Sequence, residues 1–171
     1  MVKNIKYNQD LEESFDQLDK GAFLTTKHNG KVNTMTIAWG GITLVWHKKV
    51  FIVYVRYTRE TYKMLEASVH FTISIPNYDT MKDEWMFCGT TSGKNVDKIK
   101  ACNLKVLEGR QSDVPVLADC KTHYECKVIY KQAMEPANLD DEIRNRNYKN
   151  HDYHVIYYGE ILDSYQTEGV K

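Results

Sequence analysis

Ala22-Phe23-Leu24-Thr25-Thr26-Lys27-His28-Asn29-Gly30-Lys31-Val32-Asn33-Thr34-Met35-Thr36-Ile37-Ala38-Trp39 decides the fold class. Residues 22–27 read as a strand. Asn29-Gly30 supplies the positive φ angles of a tight hairpin turn, and residues 32–38 alternate as the returning strand. Gly40-Gly41 then breaks the pattern. Further strand candidates follow at 42–46 and 50–56. The second, Val50-Phe51-Ile52-Val53-Tyr54-Val55-Arg56, is nearly all apolar, which predicts a central strand buried on both faces.

Beyond it, Thr58 is a candidate N-cap and Glu60 a first-turn acid for a short helix over 59–67. A strand over 69–75 stops at Pro76. Residues 79–89 and 94–101 read as helices, and 104–107 and 122–133 as strands. The polar stretch 138–148 reads as helix or loop. A last strand runs over 154–165, with Gly159 as a bulge or kink. Antiparallel strands with short helices between them predict a mainly β, closed or partly closed barrel. No G-x-G-x-x-G follows a strand and no G-x-x-x-x-G-K-[ST] occurs, which disfavours a parallel nucleotide-binding sheet.

With 171 residues the chain is one domain's worth, 1–171. It carries 23 Lys+Arg against 23 Asp+Glu, a balance that argues against nucleic acid as a partner. No apolar run approaches the roughly 20 residues of a membrane helix, and the first residues lack a signal-peptide core. The expected location is therefore the cytoplasm, with no membrane partner. Cys88, Cys102, Cys120 and Cys126 form no C-x-x-C pair, which argues for buried or free thiols and against zinc. Twelve Tyr, three Trp and five Phe exceed what packing needs and fit a protein that stacks something flat.

Four constellations could carry chemistry. Arg56-Tyr57-Thr58-Arg59-Glu60-Thr61 places two arginines and two threonines at a strand-to-helix junction, where unpaired N–H groups favour an anion. The plain alternative is a capped helix with solvated arginines. Asn33-Thr34-Met35-Thr36-Ile37-Ala38-Trp39-Gly40-Gly41 would let a flat ligand approach the backbone, with Asn33 reading a ring edge; alternatively Trp39 is a core aromatic. The turn-rich Cys88-Gly89-Thr90-Thr91-Ser92-Gly93-Lys94 could wrap a polar ligand, or be a surface loop around an inert Cys88. His123, His151 and His154 could act as acid or base, whereas His151 and His154 beside Asp152 are a weak metal signal. No nucleophile–base pair is evident, which disfavours acyl or phosphoryl transfer.

Taken in order, these stretches, with Gly21-Ala22-Phe23-Leu24-Thr25-Thr26, Asn95-Val96-Asp97-Lys98, Glu125-Cys126-Lys127-Val128 and Gly159-Glu160, resemble one family over roughly residues 18–165. It is the flavin reductase-like, FMN-binding split-barrel family, near the flavoredoxins. The resemblance implies a Greek-key split β-barrel that is homodimeric, with FMN near the subunit interface. It implies that Arg56, Thr58, Arg59 and Thr61 form the phosphate turn, and that Asn33, Thr36, Ile37, Ala38 and Trp39 lie along the isoalloxazine and ribityl chain. Ser92, Gly93 and Lys94 would close on the flavin, Lys94 stabilising charge on the reduced ring. His154 would be the catalytic group on the nicotinamide or substrate side. The implied activity is an FMN-dependent oxidoreductase taking electrons from NAD(P)H or a redox partner protein. Non-catalytic storage or sensing of FMN, or another flat cofactor on the same barrel, are the rival readings. Glu60 departs from the pattern, since its charge is unfavourable beside a phosphate unless it points away.

Overall fold

The computed structural model describes residues 2–168; Met1 and residues 169–171 of the expected 1–171 domain lie outside the described residues. In chain order the elements are β1 (Val2–Asn4), α1 (Leu11–Lys20), β2 (Ala22–His28), β3 (Lys31–Ile37), β4 (Gly40–Val45), β5 (Lys48–Arg56) and α2 (Glu60–Ala67). There follow β6 (His70–Ile75), α3 (Lys82–Thr90), α4 (Lys98–Ala101), β7 (Val106–Leu107), β8 (Val116–Leu117) and β9 (Thr122–Ala133). A 3-10 turn at Pro136–Asn138, α5 (Asp141–Asn147) and β10 (His154–Thr167) complete the chain.

One antiparallel sheet runs β3-β2-β6-β9-β10-β5-β4, with β1 added to the far end of β10. Its two ends, β3 and β4, are consecutive in sequence yet not hydrogen-bonded to each other. The barrel is therefore open along a seam that Ala38 and Trp39 cross. The β2–β3 hairpin turns at Asn29 and Gly30, both at positive φ, as the sequence predicts. The register of β9 and β10 shifts at Tyr158/Gly159, the expected bulge. A side chain at Gly159 would meet Phe71 at 2.4 Å, so only glycine fits there.

The main core fills the barrel with Leu24, Val53, Val55, Phe71, Ile73, Tyr124 and Tyr157. A second core, Phe23, Met81, Cys88, Leu104, Leu117 and Cys120, lies on the other face of β2 under α3 and α4. This explains why β2 is apolar at consecutive positions: Ala22 and Leu24 face one core and Phe23 the other. The expectation that β5 is buried on both faces is corrected. Phe51, Val53 and Val55 are buried, while Ile52, Tyr54 and Arg56 on the opposite face are only half-buried. Buried Glu125 accepts the backbone N–H groups of Arg110, Gln111 and Ser112, so it anchors the 110–112 loop.

Other boundaries also move. The second helix of the 79–101 region is only Lys98–Ala101, capped by the Asp97 carboxylate that accepts the Lys100 N–H. The 104–107 strand shrinks to Val106–Leu107. The sequence reading omits α1, although Leu11, Phe15 and Leu18 share one helical face with acids in the first turn and Lys20 in the last. Among the described residues, no helix is long and apolar enough to cross a membrane.

Candidate functional site

The open seam carries a cavity of 260 Å³ lined by Met35, Thr36, Ile37, Ala38, Trp39, Tyr54, Arg56, Arg59 and His154. Antiparallel pairing sets His154 directly opposite Arg56, and Ile156 opposite Tyr54, on adjacent strands. Trp39 is 44% exposed, so it is not the core aromatic of the plain alternative; its ring lies 5.2 Å from that of His154. Gly40 follows, with φ 153° and the Ile52 carbonyl 2.5 Å from where a Cβ would stand. That close approach of β4 to β5 requires glycine and turns the chain away immediately after Trp39.

A second cavity, 220 Å³, shares Met35 and Arg59 with the first. Thr58, Glu60, Thr61, Thr90, Thr91, Ser92, Gly93, Asn33 and Lys98 complete its wall. The two segments expected to converge on one ligand, 33–39 and 56–61, thus line two neighbouring cavities that share Met35 and Arg59. Thr61 at the start of α2 accepts a 2.8 Å hydrogen bond from the Asn33 amide and ties them together. That bond corrects the reading of Asn33: the amide is 4% exposed and holds the frame of the site. Gly93 is equally constrained, because a Cβ there would lie 1.8 Å from Asn33 Oδ1.

The cations are distributed differently from the sequence expectation. Arg56 donates to the backbone carbonyls of Asp152 and Asn147 and lies 5.0 Å over the Tyr148 ring, so its guanidinium fastens the 147–152 loop. Thr58 is not a helix cap; Arg59 holds that position, and the Thr58 hydroxyl donates to Asp152 Oδ2 at 2.6 Å. Lys94 is exposed and lines a different groove, so the structure does not bring it to the ring cavity. Lys98, quoted in the resemblance without a role of its own, lines the second cavity instead. It is 5% exposed, and its ammonium donates to the Cys88 carbonyl at 3.0 Å. Arg59 likewise donates to the Gly89 carbonyl at 2.9 Å. Both cations therefore sit at the C-terminal end of α3, where unpaired carbonyls and the helix dipole favour them.

A carbonyl satisfies a donor without neutralising its charge. Lys98 has no carboxylate partner among the described residues. Burial, with repulsion from Arg59, holds its ammonium pKa below the usual lysine value. A buried cation without a counter-ion is a costly arrangement that an anion in the cavity would relieve. Glu60 also lines this cavity, with its carboxylate paired to Lys31 at 3.0 Å.

His154 is 6% exposed, and its Nδ1 lies 2.8 Å from the Tyr148 hydroxyl. Burial, reinforced by Arg56, pushes its pKa down to about 4. It is therefore a neutral imidazole near neutral pH and not an acid. Thr36 is also committed, its hydroxyl donating to the Trp85 carbonyl. Cys88 is buried, and burial drives its thiol up to about 12, consistent with the inert reading. Tyr54 lines the groove unannounced by any local motif, and Met35, inside the 33–41 stretch, lines it without having been assigned a role.

On the other side of Trp39 lies a larger cavity of 580 Å³, sharing Ala38, Trp39 and Tyr54 with the first. Phe15 and Leu18 of α1 and Leu139 and Ile143 near α5 make it mostly apolar, and no Lys or Arg lines it.

Comparison with known proteins places these features together. The model of the flavin reductase like domain matches residues 20–171. An FMN-binding domain of a flavin reductase-like enzyme from Shewanella baltica OS155 has the same fold, with a TM-score of 0.69 at 16% identity, over 97% of this chain and 77% of that one. The flavoredoxin of Desulfovibrio vulgaris (Miyazaki F) gives a TM-score of 0.68 at 25% identity, over 86% of this chain and 69% of that one. An uncharacterized protein of Archaeoglobus fulgidus is 27% identical over 99 residues, 58% of this chain and 55% of that protein. The matched stretch spans about half the length of the curated relatives.

Proposed function

This chain belongs to the flavin reductase like domain family, and from that premise we propose that it binds FMN in the groove between Trp39 and Lys98. We further propose that it acts as an oxidoreductase, passing a hydride or electrons between NAD(P)H or a redox partner protein and an acceptor. The observation that carries the reading is Lys98: a buried ammonium without a carboxylate partner, in a cavity that shares Met35 and Arg59 with one large enough for a ring. That donor set fits a phosphate monoester, since Lys98 and Arg59 supply charge and Thr61 and Ser92 supply hydroxyls.

FMN, when bound, supplies reversible one- and two-electron chemistry; the chain supplies position and electrostatics. Trp39, Tyr54, Ile37 and Ala38 would wall the ring, and Met35 would lie between ring and phosphate. Arg59, common to both cavities, and Arg56, which lines the first, are the cations available to negative charge on the ring, a role that passes to them from Lys94. His154 would line the ring side as a neutral side chain hydrogen-bonded to Tyr148. The apolar cavity beyond Trp39, with Trp39 and Phe15 exposed beside it, supports a homodimer that covers this face.

The absorption spectrum of the purified protein tests the reading. Bound flavin gives bands near ~370 and ~450 nm, and their bleaching by NADH or NADPH under anaerobic conditions identifies the donor. A protein that cannot be loaded with FMN overturns it. Sedimentation velocity tests the dimer.

A further inference from the structure

Tyr148 and His154 belong to different cavities: His154 lines the one that holds Arg56 and Arg59, and Tyr148 lines the apolar one beyond Trp39. The bond between the Tyr148 hydroxyl and His154 Nδ1, at 2.8 Å, joins the two linings with both residues almost out of solvent, at 3% and 6% exposed. Each ring is held for this contact. The Tyr148 N–H donates to the Arg144 carbonyl at the end of α5, its ring stacks on Tyr153 at 5.0 Å, and the Arg56 guanidinium lies over it. His154 sits opposite Arg56 in the β5–β10 register, with the Trp39 and Tyr54 rings at 5.2 and 6.2 Å.

A hydrogen bond between a phenol and an imidazole nitrogen can run in either direction. The surroundings choose one. The Tyr148 hydroxyl has no other hydrogen-bond partner among the described residues. If Nδ1 carried the ring proton and donated it, the buried phenol hydrogen would be left without an acceptor, which is costly. The guanidinium beside it has only donors to offer. The phenol hydrogen therefore points to Nδ1, and in a neutral imidazole the ring proton then lies on Nε2. That nitrogen makes no hydrogen bond among the described residues, yet it is not among the buried side-chain atoms sealed away without one. The open space it meets is the cavity that His154 lines.

We infer that Tyr148 is a positioning residue that locks His154 in its Nε2–H form, so that the cavity presents a fixed, uncharged hydrogen-bond donor. The ligand atom it takes is an acceptor, a carbonyl oxygen or an unprotonated ring nitrogen, and not an N–H group or a cation. The isoalloxazine ring carries such acceptors along its edge; this last step rests on the proposed flavin site, whereas the tautomer does not.

Nitrogen-15 NMR of the flavin-free protein at about pH 7 reads the ring directly, because a protonated ring nitrogen resonates far upfield of a bare one; His154→Gln assigns the signals. The expected result is a protonated Nε2 and a bare Nδ1. Tyr148→Phe keeps the stacked ring and removes only the hydroxyl, so the Nδ1–H form should then be populated alongside the other, and FMN affinity should fall about threefold to tenfold. In the unsubstituted protein, loading with FMN should slow exchange of the Nε2 proton with water. An Nδ1–H form in the unsubstituted protein overturns the inference, and so does a tautomer that Tyr148→Phe leaves unchanged. A locked Nε2–H whose exchange is indifferent to bound FMN overturns its use as a donor in the cavity. If FMN does not bind at all, the flavin reading falls, and the tautomer measured in the flavin-free protein still decides the role of Tyr148.

Discussion

The Asn33 side-chain amide donates to the Thr61 hydroxyl at 2.8 Å, with both residues essentially out of solvent. That bond fixes β3 to the first turn of α2, and so holds the strand that leads to Trp39 and the helix start beside Arg59 in one frame. Asn33 Oδ1 in turn packs against Gly93. Gly93→Ala would put a methyl group 1.8 Å from that oxygen. We expect it to destabilise the fold by about 1–3 kcal/mol through forced displacement. Asn33→Leu, which strands the Thr61 hydroxyl, should cost about 1–3 kcal/mol as well. Urea denaturation measures both, and unchanged midpoints would remove this frame from the account.

Lys98 and Arg56 make opposite predictions. Lys98→Met should weaken FMN by about 1.5–3 kcal/mol and leave riboflavin, which lacks the phosphate, nearly unaffected. Its thermal stability should hold or rise, because a buried charge is replaced by an apolar chain of similar length. Arg56→Ala should weaken FMN and riboflavin alike, because its guanidinium fastens the 147–152 loop through two backbone carbonyls. Calorimetry with the two ligands separates the roles. A phosphate-selective loss in the Arg56 variant would restore the sequence-based assignment.

Two buried histidines set the acid limit of the fold. Burial lowers both His154 and His123 to about 4 from 6.5. The unfolded chain then binds more protons than the folded one between those values, so stability rises with pH across that window. It is fully present above about pH 6.5 and is lost as the pH falls toward about 4, by roughly 3 kcal/mol for each histidine. His154→Gln should flatten its share of this slope in denaturation midpoints measured from about pH 4 to about pH 7. In NMR titration neither ring should change shift above about pH 5.5. A His154 ring that titrates near its ordinary value would return it to acid–base candidacy.

Cysteine chemistry should be slow. Cys88, Cys120 and Cys126 are buried, and burial raises the thiol pKa of each. At about pH 7.5 the Cys88 thiolate fraction is on the order of one in ten thousand or less. In the native protein, Cys102, the only partly exposed thiol of the four, should react first with an aromatic disulfide reagent. The others should follow only at the rate of unfolding. Rapid modification of Cys88 would contradict the packing beneath α3.

The exposed turn of β4 and β5 carries a local cost. Trp46 and His47 both adopt left-handed φ, 54° and 58°, where Asn and Gly are the usual residues. Replacing the pair by Asn-Gly should stabilise the chain by about 1–2 kcal/mol, measured by thermal denaturation. The aromatic contacts of Trp46 with Tyr130 and Tyr158 offset part of that gain. A loss of stability would mean those contacts outweigh the backbone strain.

Local chemistry determined the β-rich class, the Asn29-Gly30 hairpin and the Gly159 bulge. Each depends on residues close in the chain: turn glycines and alternating apolar positions. The order of these stretches was also enough to point to the flavin-binding family. Only the tertiary structure decided which cation is buried in the cavity beside Arg59. Lys94 and Lys98 are four residues apart, and Asp97 between them looks like any helix cap. Lys98 becomes special because the end of α3 folds over it and excludes water, while Lys94 stays in solvent. In the same way, Arg56 looks like a free phosphate ligand until the 147–152 loop, some ninety residues away, presents its carbonyls. Desolvation and backbone satisfaction depend on which distant segments meet, and no local pattern of residue types encodes that meeting.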